Sequence, residues 1–196
     1  MKEFWNKRYA AEEYVYGQDP NAYFASALAK LSPGKILLPA EGEGRNAVYA
    51  AKTGWEVHAF DSSTQAGKKA LALAKSAKVN IRYQTVDINN FRSDNSYDAI
   101  GLVFAHFPPQ VRQSYHRKLS GFLRKGGTLI LEAFAKDQIE YNTGGPKNVD
   151  MLFSPEELRQ DFSTFEKVDL HQQEVMLDEG PFHRGKASVV RLLAKK

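Results

Sequence analysis

Residues 35–61, KILLPAEGEGRNAVYAAKTGWEVHAFD, decide the fold. Ile36 to Leu38 is a short apolar run of the kind a parallel sheet buries, and Ala47 to Ala51 opens a helical apolar face soon after it. Between them lies a glycine-rich turn. Gly42 and Gly44 lack a Cβ, so the backbone there can turn sharply and approach a ligand, with the first free N–H groups of the next helix aimed into the same space. A second apolar run, Trp55 to Phe60, ends at Asp61, whose carboxylate at a strand's carboxyl end suits two vicinal ribose hydroxyls. Strand, glycine turn, helix, strand and acid describe half of a nucleoside-binding α/β fold.

Gly42 to Ala47 fits the pattern G-x-G-x-x-A, and Asp61 follows Gly44 by 17 positions, near the spacing of the dinucleotide fingerprint. Charge separates the two adenosyl ligands that such a turn can hold. A dinucleotide places its pyrophosphate here, but the turn carries Glu41 and Glu43. A carboxylate about 6 Å from a phosphate charge costs roughly 2 to 3 kcal/mol at an effective dielectric of about 20. The helix dipole returns about 0.3 to 1 kcal/mol, and Arg45 offsets a further part. S-adenosylmethionine suits the turn better: it has no phosphate, and its ammonium and sulfonium are cations.

The run Ile36 to Ala47, the acid Asp61, the later Val86-Asp87-Ile88 and Leu123-Arg124-Lys125-Gly126-Gly127 together resemble the ordered motifs of class I S-adenosylmethionine-dependent methyltransferases. EGEGRNA, with Trp5-x-x-Arg8-Tyr9 and Tyr16-Gly17, is most similar to the small tellurite-resistance and thiopurine-methyltransferase-like branch. The resemblance implies cofactor contacts from Ala40, Glu41, Gly42, Gly44 and Arg45 at the turn, Asp61 and Ser62 at the ribose, Asp87 and Ile88 at the adenine, and Phe104. It also implies that residues 1–18 form a helical lid, with Trp5, Arg8 or Tyr16 near the methionine carboxylate. The motif departs from the family at two positions. Leu38 stands where an acid is usual and Ala40 where the first glycine is usual, leaving Glu41 or Glu43 to reach the amino group.

With 196 residues, the chain has the size of one domain with a full core, and residues 19–196 are read as that Rossmann-like core. The 27 Lys and Arg against 23 Asp and Glu give a net charge of +4 spread without a long basic run, so no nucleic-acid partner is expected. The absence of cysteine removes disulfides, thiolate metal sites and a thiol nucleophile. No metal site is read. Without an apolar run of signal-peptide or spanning length, a cytoplasmic location with no membrane contact is the expectation.

Along the chain, residues 2–14 are predicted as an amphipathic helix and Asp19-Pro20 as the start of a helix to Leu31. Residues 62–78 form the next predicted helix, and 80–86 the third strand, ending at Asp87. Asp87-Ile88-Asn89-Asn90 is also good turn chemistry. Residues 97–104 give a fourth strand whose exit carries His106, and prolines 108 and 109 open a helix to Leu123. Gly126-Gly127 reads as the turn into a fifth strand, 128–133. Residues 136–153 read as a loop, either a substrate cover or plain surface. Ser154-Pro155-Glu156-Glu157 starts a helix, and 165–177 with 186–193 make a closing hairpin. The expected architecture is an α/β, Rossmann-like three-layer sandwich: a mostly parallel seven-stranded sheet with an antiparallel C-terminal strand.

The expected function is methyl transfer from S-adenosylmethionine to a small-molecule nucleophile, with S-adenosylhomocysteine as product. His106 is the candidate catalytic base, with His183 and Glu132 as other acceptors and no evident dyad, which favours a soft thiol- or chalcogen-type nucleophile. His183 lies in the hairpin connection, either facing substrate or solvated. An NAD(P)-binding oxidoreductase and a non-catalytic S-adenosylmethionine-binding protein are the alternatives. A monomer or homodimer fits either.

Overall fold

The protein is described by a computed structural model over residues 2–196. Seven strands, β1 (Lys35–Pro39), β2 (Glu56–Asp61), β3 (Arg82–Thr85), β4 (Tyr97–Val103), β5 (Leu123–Phe134), β6 (Lys167–Asp178) and β7 (Arg184–Lys195), form one sheet in the order β3-β2-β1-β4-β5-β7-β6. All neighbouring pairs are parallel except those made by β7, which runs antiparallel to β5 and β6. The expected inserted antiparallel strand is therefore present. Strand order reverses at β1 and β4, and that crevice is where open α/β sheets bind ligands.

Successive residues of a strand face opposite sides of the sheet, and β1 divides its apolar run accordingly. Ile36 and Leu38 pack with Phe24 and Leu28 of α2 (Ala22–Leu28) and with Ala47 and Ala50 of α3 (Arg45–Lys52). Leu37 faces the other core, with Leu119 of α5 (Pro109–Gly121) and Leu158 of α6 (Pro155–Asp161). Helix α4 (Thr64–Ser76) packs beside α3 through Val48, Leu73 and Ala74. Helices thus cover both faces, giving three layers. At β4 the sheet comes so close to its neighbours that a Cβ on Gly101 would lie 2.6 Å from Leu38 and 2.7 Å from Phe24.

Several boundaries differ from expectation. The first helix, α1 (Lys2–Arg8), stops well short of residue 14, and residues 9–17 run as turns and bends that end in left-handed Gly17. The α2 cap is Asn21, whose side chain accepts the Phe24 amide hydrogen at 2.8 Å, and not Asp19. Strand β5 begins at Leu123, because residues 123–127 extend it through a bulge opposite Tyr97 and Ala99 where a turn was expected. Ser154 and Glu157 form the expected capping box of α6. Among the described residues no helix is long and apolar enough to cross a membrane.

Candidate active site

The turns that follow β1, β2, β3 and β4 open on one edge of the sheet, and a cavity of about 780 Å³ runs across them. It has the size of a cofactor and small-molecule site. Ala40, Glu41, Gly42 and Arg45 line it from the first turn, Asp61 and Ser62 from the second, Asp87 and Ile88 from the third, and Phe104 and His106 from the fourth. Trp5, Arg8 and Tyr16 close it from the N-terminal segment, and His183 from the β6–β7 hairpin. The sequence-predicted residues therefore converge on one space, with two exceptions, Gly44 and Glu132. At Gly44 a Cβ would strike Ala70 of α4 at 2.7 Å, so this glycine serves helix packing.

Two central strands leave the sheet through left-handed residues that are not glycine, Ala40 (φ 51°) and Phe104 (φ 50°). This conformation brings Cβ against the following carbonyl and costs about 1–2 kcal/mol. Both lie on the cavity wall at the β1/β4 switch point, where such strain is commonly stored.

Asp61 is buried, and its carboxylate is oriented by the sheet edge: Oδ2 accepts the Gly42 amide hydrogen at 3.2 Å and Oδ1 that of Ser63 at 2.8 Å. Burial raises its pKa, and these amide donors oppose the rise. Asp87 forms the turn its local sequence favours, accepting from the Asn90 backbone and side chain at 3.1 and 2.8 Å, while it remains on the wall.

The two glutamates of the glycine turn diverge. Glu41 Oε1 accepts the Ala47 amide hydrogen at 2.7 Å. Gly44, at the N-cap, has no side chain to do this, so Glu41 caps α3 from outside the helix. Burial pushes the Glu41 carboxyl up to about 7, against the Ala47 amide and Arg45. Glu43 turns toward the N-terminal segment, accepting the Val15 amide hydrogen at 2.8 Å and pairing with Lys69 at 2.5 Å. The expected ligand role of Arg45 is also altered, because its guanidinium pairs with Glu179 at 2.7 Å and donates to the Tyr16 carbonyl at 3.1 Å.

These commitments discriminate between ligands. A pyrophosphate at a helix N-terminus needs free amide hydrogens or a free cation. Here a carboxylate holds the Ala47 amide and Arg45 is neutralised by Glu179. A phosphate-free, cationic adenosyl ligand fits this acidic turn better than a dinucleotide does.

His106 is corrected as a base. Its Nδ1 lies 2.8 Å from the Met151 carbonyl, and its Nε2 accepts the Phe134 amide hydrogen at 3.1 Å. That pattern assigns the proton to Nδ1 and leaves no lone pair for substrate. Burial pushes its pKa down to about 4, so it is neutral. Glu132 is likewise occupied, buried between Arg191 and Asn21.

His183, by contrast, is buried in the cavity wall and not solvated. Its ring lies 4.4 Å from that of Tyr16 and 4.6 Å from that of Phe104. Nδ1 is 3.6 Å from the Glu179 carboxylate and makes no hydrogen bond. Burial lowers its pKa, which keeps the imidazole in its basic, neutral form.

Sequence reasoning missed Glu179 and Asn21. Glu179 binds Arg45 and accepts from Asn21 at 2.8 Å, across separations of 134 and 158 residues that no local pattern reveals. Asn21 had a local signal, an Asx residue three positions ahead of Phe24 in the first helical turn.

The fold is the α/β, Rossmann-like fold of methyltransferases, with a mostly parallel seven-stranded sheet and an inserted antiparallel strand. Residues 36–127 match the family model described as a methyltransferase domain. No curated protein matches the chain. Among solved structures, the chain is similar to one from work on the conversion of a disulfide bond into a thioacetal group during echinomycin biosynthesis. That likeness has a TM-score of 0.81 at 16% identity, covering 100% of this chain and 91% of the other. TehB from Haemophilus influenzae has a TM-score of 0.71 at 21% identity over 100% of this chain and 66% of its own. The N-methyltransferase NodS from Bradyrhizobium japonicum WM9, in complex with S-adenosyl-L-homocysteine, has a TM-score of 0.75 at 11% identity over 100% and 97%.

Proposed function

We propose that this protein transfers a methyl group from S-adenosylmethionine to a small-molecule nucleophile. The observation that carries the reading is the acidic sheet edge: Asp61 preset by two backbone amides, with the α3 amide already held by Glu41. When bound, the cofactor supplies a methyl group already activated by its sulfonium, so the chain's residues have to bind, align and exclude water. Asp61 receives the ribose hydroxyls, and Asp87 and Ile88 flank the adenine. Trp5, Tyr16 and Phe104 supply apolar and π surface around the reacting end. Arg8, whose guanidinium lies 4.3 Å over the Phe182 ring, is the cation placed for a carboxylate.

The acceptor lies between residues 142–148, the hairpin and His183. His183 takes the proton of an N–H, S–H or O–H nucleophile, and Glu179 beside it favours the imidazolium formed. NodS acts on nitrogen and TehB belongs to tellurite resistance. With EGEGRNA and the N-terminal aromatic segment, the latter likeness supports the small tellurite-resistance-like branch and a thiol- or chalcogen-type acceptor.

Isothermal titration with S-adenosylhomocysteine tests the cofactor, with micromolar binding expected and near-complete loss in Asp61→Ala. Absence of binding by the unaltered protein would sink the reading. Methyl transfer to matched thiols, selenols and amines ranks the acceptor class, and equal rates on all three would remove the soft-nucleophile preference.

A further inference from the structure

The N-terminal segment touches both turns that flank the cofactor space. At one end Asn6 Oδ1 accepts from Ser63 Oγ at 2.7 Å and from the Thr64 amide at 3.0 Å, immediately beyond Asp61. At the other, Glu43 of the glycine turn accepts the Val15 amide hydrogen at 2.8 Å. Lys69 of α4 pairs with Glu43 and donates to the carbonyls of Ala11 and Glu13 at 2.9 and 2.6 Å. Between the two anchors Tyr9 stacks on Trp5 at 5.4 Å and meets Gly42 so closely that a Cβ there would lie 2.8 Å from its hydroxyl.

Apolar burial contributes little to this placement. No residue of α1 is buried, Phe4 is 56% exposed, and the local cluster consists of Tyr9, Val15 and Ala66 with Trp5 and Tyr16 at its margin. A segment with so few buried apolar contacts opens at low cost, so a few polar contacts decide its position.

We infer that Asn6 and Glu43 are positioning residues that clasp residues 6–15 across both cofactor turns, coupling lid order to cofactor binding in a single equilibrium. This inference rests on the cofactor reading above. Coupling is reciprocal: a ligand that orders the turns protects the lid, and loss of a clasp weakens the ligand by the same factor. Glu43, its carboxylate already held by the Val15 amide and Lys69, therefore acts on the ligand through the lid.

Lys7 and Arg8 lie inside this segment, so trypsin cleavage there reports its opening directly. In the unaltered chain S-adenosylhomocysteine should slow that cleavage about tenfold, within the usual range of coupling energies. Glu43→Ala and Asn6→Ala should each weaken its affinity about tenfold and speed ligand-free cleavage by a similar factor. Glu43→Gln, which keeps an acceptor for Val15, should recover part of the protection; a merely global loss of stability would not be rescued this way. If Glu43→Ala does not fold, Lys69→Met keeps the Val15 bond, removes the Ala11 and Glu13 contacts, and provides the same comparison. Unaltered affinity and cleavage in both clasp variants would overturn the inference. Failure of the unaltered protein to bind S-adenosylhomocysteine would instead overturn the cofactor reading, and ligand-free cleavage would then decide the clasp alone.

Discussion

Arg45, one residue past the last glycine of the turn, pairs with Glu179 at the tip of the β6–β7 hairpin at 2.7 Å, and both side chains are nearly enclosed. Burial alone would raise the Glu179 carboxyl, but the neighbouring His183 and the charge and hydrogen bond of Arg45 bring it down to about 2. This depressed group contributes stability that is complete above the unfolded value near 4.5 and lost as pH falls from there toward 2.

Removing one partner leaves a buried charge uncompensated. Arg45→Ala should therefore lose about 3–5 kcal/mol in urea unfolding at pH 7. Glu179→Gln should reduce the acid lability between pH 4.5 and 2. A loss under about 1 kcal/mol in Arg45→Ala would show that water reaches and solvates Glu179.

Glu41 shifts the other way, from 4.5 to about 7. Its protonated form is favoured in the fold, so the ligand-free protein should lose stability as pH rises from about 4.5 through 7. A melting series over pH 4.5–8 should show this slope flattened in Glu41→Gln, with Asp61 common to both proteins. Affinity for the cationic cofactor should rise over the same range as the carboxylate forms. Identical pH slopes in the two proteins would contradict this assignment.

The two cavity histidines should respond differently to substitution. His106→Phe leaves the Phe134 amide unpaired and should destabilise by about 1–3 kcal/mol without moving the pH profile of kcat. His183→Gln should lower kcat about 10²-fold or more for an acceptor that must lose a proton, with S-adenosylhomocysteine affinity retained. A pH profile that moves with His106 would reverse the roles.

Ala40→Gly removes a left-handed alanine but adds unfolded-state freedom, effects of about 1–2 and 0.4–1 kcal/mol respectively. The net expectation is a gain of up to about 1.6 kcal/mol, read as a higher denaturant midpoint at unchanged slope. A loss would show that the Ala40 methyl group packs more favourably than its backbone conformation costs.

Where periodicity and turn chemistry act locally, the chain was legible. Ile36 to Leu38, Asp61 at its strand exit, the Ser154 capping box and the closing hairpin all emerge from neighbours within a few residues. Aromatic spacing overextended the first helix, because Tyr9 and Tyr14 face different partners, Gly42 and Lys69, once the chain has turned. Glu43, Arg45 and His106 fell on or near the site, but their roles depend on Val15, Glu179 and Met151, from 28 to 134 residues away. Sequence proximity carries no record of such pairings.

The cavity also has a divided ancestry within the chain. Its nucleoside end comes from turns between parallel strands, while its other end comes from residues 142–148 and the hairpin tip. Exchange of those two segments would retarget the chemistry and leave the adenosyl grip intact, provided the new hairpin tip retains an acid in the place of Glu179 to seat Arg45.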